Sequence, residues 1–205
     1  MPSDTNPLLR PFEGPFGLPP FAALTDADFA PAFEAGLAEA RARIAAIAED
    51  PAPPTFGNTI EALELADETL DRVSGVFFNL VGADATPARE ALQRDLAPRL
   101  AAFSAEVTMN PALFARIEAL WAARGTLDLT AEQERVLTLY RRMFLRAGAA
   151  LTGEAATRMK AVRERLAVLG TAFQQNLLAD ERGWTMDLAE DDLAGLPAFL
   201  ADTLR

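Results

Sequence analysis

The chain has 205 residues, half of them hydrophobic and 24% charged, with a net charge of −11 and neither histidine nor cysteine. Those two absences exclude an HExxH zinc site, a Ser-His-Asp triad, a thiol nucleophile, a disulfide and a zinc finger within these residues. A pI near 4.5, with basic residues interleaved among acids as at Lys160, Arg163, Glu164 and Arg165, excludes a nucleic-acid partner, and no apolar run reaches the length of a membrane span.

Ala and Leu dominate, β-branched residues are sparse and a 3.6-residue period recurs. The expected class is therefore all-α, a bundle-like array of several helices. The length allows one substantial core or two small helical ones.

The N-terminus, Met1-Pro2-Ser3-Asp4-Thr5-Asn6, has no basic n-region and no apolar h-region, so it does not read as a signal peptide. Together with the absence of cysteine, this gives a cytoplasmic expectation. Residues 1–24 carry six of the 14 prolines, interspersed with Phe12, Phe16, Leu18 and Phe21. Proline forbids a regular helix there, and the aromatics are too apolar for a free tail. The expectation is an extended arm pinned onto a helical surface.

The first helix is expected from Thr25, as N-cap, to Glu49, with Asp26 and Asp28 near the positive end of its dipole. Phe29, Phe33, Leu37, Ile44 and Ile47 form its apolar stripe, and Asp50-Pro51-Ala52-Pro53-Pro54 stops it. Asn58, with Glu61 three residues on, predicts a capping box for a second helix. Ile60, Leu63, Ala66, Leu70, Val73, Phe77 and Leu80 give that helix about 24 residues, ended by Gly82 and Asp84.

Thr86-Pro87 and Asn110-Pro111 each place a cap before a proline at the first helical position. Pro98 should kink the first of these two helices. Thr130-Ala-Glu-Gln133 is another capping box, and Thr152 opens a long helix with Met159, Val162, Leu166, Leu169, Phe173 and Leu177 on one stripe. After Gly183 the alternation of Trp184 to Leu188 predicts a short strand. Ala189 to Leu196 reads as an acidic turn, and Pro197 to Arg205 as the start of a helix. A lone strand and an uncapped final helix suggest a chain cut within a larger one.

Several clusters invite a chemical reading. Glu61, Glu64, Glu68 and Asp71 lie close to one helical face, as a carboxylate-bridged metal site would require, but the bundle versions also use histidine. A solvated acidic face is the stronger reading. Asp187, Glu190, Asp191 and Asp192 lack the spacing and central glycine of a calcium loop. Arg141, Arg142 and Arg146 offer a carboxylate-binding patch against the commoner alternative of surface pairing. Phe77, Phe78, Trp121, Phe144 and Phe173 are read as core rather than pocket lining. Gly14 and Gly17 form no phosphate-cradling loop. No nucleophile has a visible base. The residues alone describe a helical module with no stated chemistry.

A resemblance adds to that reading. Asn6-Pro-Leu-Leu9, Pro15-Phe-Gly-Leu-Pro-Pro-Phe21 and Asp28-Phe-Ala-Pro-Ala-Phe33 resemble the opening of the M3 zinc metallopeptidases. Within that family they are most like the peptidyl-dipeptidases (dipeptidyl carboxypeptidases) and oligopeptidase A-like enzymes. Pro54-Thr-Phe-Gly-Asn-Thr-Ile60 is similar to the family's PTFDNTI segment, with Gly57 in place of the acid. Asn110 to Arg116, Tyr140 to Ala149 with its F-x-R-x-G helix end, Phe173-Gln-Gln-Asn176 and Leu193 to Pro197 continue the likeness in order. Phe103 stands where the family pattern often has histidine.

The resemblance implies a mostly helical, two-lobed peptidase with a deep channel. Its zinc is held by HExxH and a distant glutamate, outside this chain. The chain is then the N-terminal, non-catalytic part of such an enzyme, forming part of the channel wall. Its implied divisions are an arm at 1–24, a helical lobe at 25–182 and the start of a further segment at 183–205. Its partners are the remainder of the peptidase chain and short peptide substrates, with self-association expected of the isolated segment. No catalytic, cofactor-binding or metal residue is assigned within it. The competing reading is a stand-alone helical binding or adaptor module.

Overall fold

A computed structural model of the chain describes residues 6–203. Among them the regular structure is helical throughout. α1 spans Asp26–Glu49, α2 Ala62–Glu64, α3 Glu68–Ala83, α4 Pro87–Thr108, α5 Pro111–Ala123, α6 Ala131–Ala147, α7 Gly153–Gly183 and α8 Ala198–Thr203. The chain separates into two compact units, dividing after Thr171.

The helix starts obey local chemistry. Thr25 caps α1, its N–H and hydroxyl donating to the Asp28 carboxylate at 2.8 and 2.7 Å. Thr86 accepts from the Arg89 N–H at 3.2 Å and Asn110 from the Ala112 N–H at 2.9 Å, each just ahead of its proline. Thr130 and Gln133 exchange hydrogen bonds in a complete capping box. α6 closes on Gly148, whose φ of 102° is left-handed; the N–H groups of Gly148 and Ala149 both return to the Phe144 carbonyl. It is the left-handed conformation that calls for glycine; the nearest atom to a Cβ there, Leu151 Cδ1 at 2.8 Å, ends a flexible side chain that can move aside.

Two expectations are corrected. The second helix starts earlier, on a π-helical turn at Phe56–Glu61 capped by Thr55 rather than Asn58. Asn58 is the third residue of that turn and closes the box from inside, accepting from the Thr55 N–H at 2.7 Å. The same helix is interrupted between α2 and α3, where the Arg43 guanidinium takes the freed Leu65 carbonyl at 2.7 Å. No glycine or proline marks this break. α4 runs from Pro87 to Thr108 with Pro98 inside it, and buried Leu96 and Phe103 stand on either side of that proline.

Two cores result. In the first, Phe29 and Phe33 of α1 enclose Phe77 of α3, with ring centroids 5.2 and 5.4 Å apart. Leu8 of the arm, Leu96 and Phe103 complete it. Each fully buried phenylalanine contributes about 1.5–3 kcal/mol. In the second, Ile44 and Ile47 of α1 meet Ile60, Leu113, Ile117, Leu137 and Phe144. α1 thus spans both cores with one stripe. The arm is fastened at its beginning. Asn6 Nδ2 donates to the Asp28 carbonyl at 2.8 Å, and Arg72 Nε to the Leu8 carbonyl at 3.2 Å. Farther along, Phe16, Leu18 and Phe21 are exposed. Residues 1–5 lie outside the described ones.

α7 has the expected stripe but buries none of it. Leu166 and Leu169 are exposed before the division after Thr171, and Phe173 and Leu177 beyond it. In the second unit, residues 184–189 have no regular structure, so the predicted strand at 184–188 does not form. No strand occurs among the described residues to supply a ladder partner. A 3-10 turn at Glu190–Leu193 follows, then α8. The predicted final helix at 197–205 is described only as far as Thr203.

α1 and α3 approach closely at Gly36. A Cβ there would lie 3.0 Å from Leu70 Cα and 3.2 Å from Leu70 N, both backbone atoms that cannot rotate away. Gly36→Ala should therefore destabilise the chain by about 1–3 kcal/mol through forced separation, outweighing about 1 kcal/mol gained in helix propensity. A lowered urea midpoint is expected; an unchanged or raised one would refute the close approach.

Candidate functional site

The most connected side chain is Arg116 on α5, only 7% exposed. Its Nε–H donates to Thr59 Oγ1 at 3.3 Å. Nη1 donates to the carbonyls of Asp50 and Ala52 at 2.7 and 3.3 Å. Nη2 donates to Asp50 Oδ2 at 3.2 Å and Asn58 Oδ1 at 3.1 Å. Every N–H of the guanidinium fork is engaged. The π-helical turn brings Thr59 and Asn58 to it, and the end of α1 brings Asp50. This node ties the proline-rich connection at 50–55 to α5.

A cleft of about 420 Å³ opens beside α3, bounded by Glu64, Asp67, Asp71, Phe103 and Tyr140. The Tyr140 hydroxyl donates to Glu64 Oε1 at 2.7 Å. Burial above all, and then the bond to Glu64, pushes the Tyr140 phenol above its usual range. Burial likewise raises the Asp67 carboxyl from its ordinary 3.8, aided by the charges of Asp71 and Glu64 against an opposing backbone hydrogen bond. The helix break sorts the four acids singled out by sequence. Glu64 and Asp71 reach this cleft, Glu61 lines a neighbouring one of about 440 Å³ with Glu64, and Glu68 lines neither. Asp67, which the periodic reading passes over, stands among them because the break carries it inward.

The other candidates also separate. Arg141 is paired with Glu118, Nε to Oε1 at 2.5 Å, and lies 4.9 Å from the Trp121 ring. Arg142 and Arg146 face a different groove, with Arg163. Phe77 and Phe144 are fully buried in different cores, while Phe78 and Phe173 are exposed, so the five aromatics share no pocket. Phe103, at the position where a histidine was expected by resemblance, is core and has Arg41 5.7 Å above its ring. Asp192 caps its own turn, accepting from the Ala189 N–H at 2.9 Å; the Glu190 side chain lies outside the described ones. The donor set does not fit zinc. The chain has no histidine or cysteine, and among the described residues no three acidic groups stand together as a metal site.

Arg116→Met should cost about 3 kcal/mol in urea unfolding, because it strands the Asp50 carboxylate and two carbonyls. Arg116→Lys should lose most of that stability too, since a single ammonium cannot reproduce the fork; a lysine variant as stable as the parent would refute this. For Asp67, the raised folded pKa means the folded chain holds a proton that the unfolded chain releases. The group therefore favours folding below about pH 4 and costs stability as pH rises through the folded value. Asp67→Asn should be more stable than the parent at about pH 7, with the gain vanishing at about pH 3. Paired thermal melts at the two pH values check the sign.

No family model matches the chain. Curated relatives do. It is 38% identical over 195 residues to a dipeptidyl carboxypeptidase of Salmonella typhimurium and 35% identical over 191 residues to one of Escherichia coli, matching 94% and 93% of this chain. It is also 30% identical over 195 residues to oligopeptidase A of Salmonella typhimurium. In each case the match spans only 28% of the relative's length. Among the described residues, no helix is long and apolar enough to cross a membrane. By sequence, the chain belongs to the M3 family represented by the dipeptidyl carboxypeptidases and oligopeptidase A, as a segment corresponding to about 28% of their length.

Proposed function

We propose that the chain is the N-terminal, non-catalytic helical part of a cytoplasmic zinc metallopeptidase that hydrolyses short peptides, of the peptidyl-dipeptidase type. Its described helices supply part of the substrate-channel wall. The observation that carries this reading is the 38% identity over 94% of the chain to a dipeptidyl carboxypeptidase. In this reading the arm is residues 1–24, the lobe 25–182 and the following segment 183–205.

The positions that carry the likeness support a structural role. Asn6 fastens the arm, Thr55 and Asn58 close the π-helical turn, Arg116 locks that turn to α5, and Gly148 ends α6. None offers a nucleophile paired with a base. Zinc, bound by residues outside this chain, supplies Lewis-acid activation of the scissile carbonyl and of water. The residues of this chain shape and rigidify the approach to that chemistry. The exposed Leu166 and Leu169, and separately Phe173, Trp184 and Phe199, are surfaces for the remainder of the peptidase to cover.

The test compares the chain alone with the same chain joined to the remaining coding sequence. The joined protein should release C-terminal dipeptides from a short blocked peptide and lose that activity to a chelator. The chain alone should cleave nothing, with or without added zinc. Chelator-sensitive cleavage by the chain alone, in a preparation free of other proteases, would overturn the assignment.

A further inference from the structure

We propose that a groove formed by α4, α6 and the beginning of α7 binds a carboxylate-bearing peptide segment through Arg142, Arg146 and Arg163. The groove measures about 640 Å³, and no aspartate or glutamate lines it. Arg142 and Arg146 make no hydrogen bond or ion pair among the described residues. Arg163 is held by neutral hydroxyls, donating to Thr108 Oγ1 at 2.9 Å and Ser104 Oγ at 3.2 Å. It is positioned but not neutralised.

Elsewhere Arg72 and Arg124 also meet neutral partners, but each stands alone, and six other arginines are paired. Arg41, Arg43, Arg89, Arg99, Arg116 and Arg141 each meet a carboxylate. With 30 acidic and 19 basic residues, three cations sharing one groove without an anion is a local reversal of the charge balance. Arg142 and Arg146 are also i,i+4 neighbours, an arrangement that costs stability when both are charged. The dipole at the end of α6 rewards Arg146, but it accounts for only one of the three.

The lining selects the ligand. Guanidinium forks match the two oxygens of a carboxylate. Leu139, Met143 and Met159 line the same groove, and flexible thioethers suit apolar side chains of varied shape. Carboxylate and apolar side chain together describe an acidic polypeptide segment.

The test uses the 205-residue chain and a fluorescein-labelled octapeptide of alternating leucine and glutamate, read by anisotropy. Its glutamine counterpart should bind at least about tenfold more weakly, and the Arg142→Gln, Arg146→Gln double variant should lose about tenfold in affinity for the glutamate peptide. Circular dichroism should be unchanged, because both side chains are exposed; if the double variant unfolds, Arg142→Gln alone should still weaken binding several-fold. Equal binding of the two peptides, or parental affinity in a folded variant, would overturn the proposal. Displacement by equimolar inorganic phosphate would also overturn it, showing an oxyanion site with no preference for a peptide.

Discussion

The buried guanidinium of Arg116 is the constraint on which the second core depends. Five donors in a fixed plane meet two backbone carbonyls, a carboxylate, an amide oxygen and a hydroxyl. The cost of burying such a cation is offset only when every one of these partners is in place. The geometry therefore fixes the end of α1, the proline-rich connection and the π-helical turn together. Asn58 and Thr59 are held at one point by this demand, which gives a local reason for a turn wound with i→i−5 bonding. Two of the segments on which the resemblance rests, around 54–60 and 110–116, are in effect one interaction seen from its two ends.

The first core rests on a different device. α1 and α3 pack so closely that Gly36 faces the backbone of Leu70, and this proximity lets Phe29, Phe33 and Phe77 form one aromatic cluster. Arg43, about two turns farther along α1, takes the carbonyl released where α2 gives way to α3. The arginine thus satisfies a backbone group at the break. Asp67 is carried inward by the same event and is left with two like charges nearby.

The electrostatic layout follows from these packings. Six arginines are paired with neighbouring carboxylates, among them Arg141, which the sequence groups with Arg142 and Arg146. Adjacent positions on a helix point about 100° apart, so Arg141 turns to Glu118 and Trp121 while Arg142 and Arg146 turn to Arg163. The acidic run in 61–71 is divided in the same way. A one-dimensional cluster of charge becomes two or three separate environments once helix phase and helix breaks are fixed.

The sequence by itself determined the helical class, the starts of α1, α4, α5 and α6, the apolar stripe of α1 and the family to which the chain belongs. These depend on short-range signals: a cap and its third residue, a proline at the first helical position, a 3.6-residue period, and an ordered set of short motifs. Only the tertiary structure decided where the second helix begins and breaks, which acids share a cleft, and why Arg116 is where it is. It also decided that α7 carries its stripe without burying it and that residues 184–188 form no strand. Those outcomes depend on partners tens of residues away, or on the lack of one, and local propensity carries no record of them. The absence of histidine and cysteine belongs to the first kind. The unneutralised arginine groove belongs to the second, because Arg163 meets Arg142 and Arg146 only through the fold.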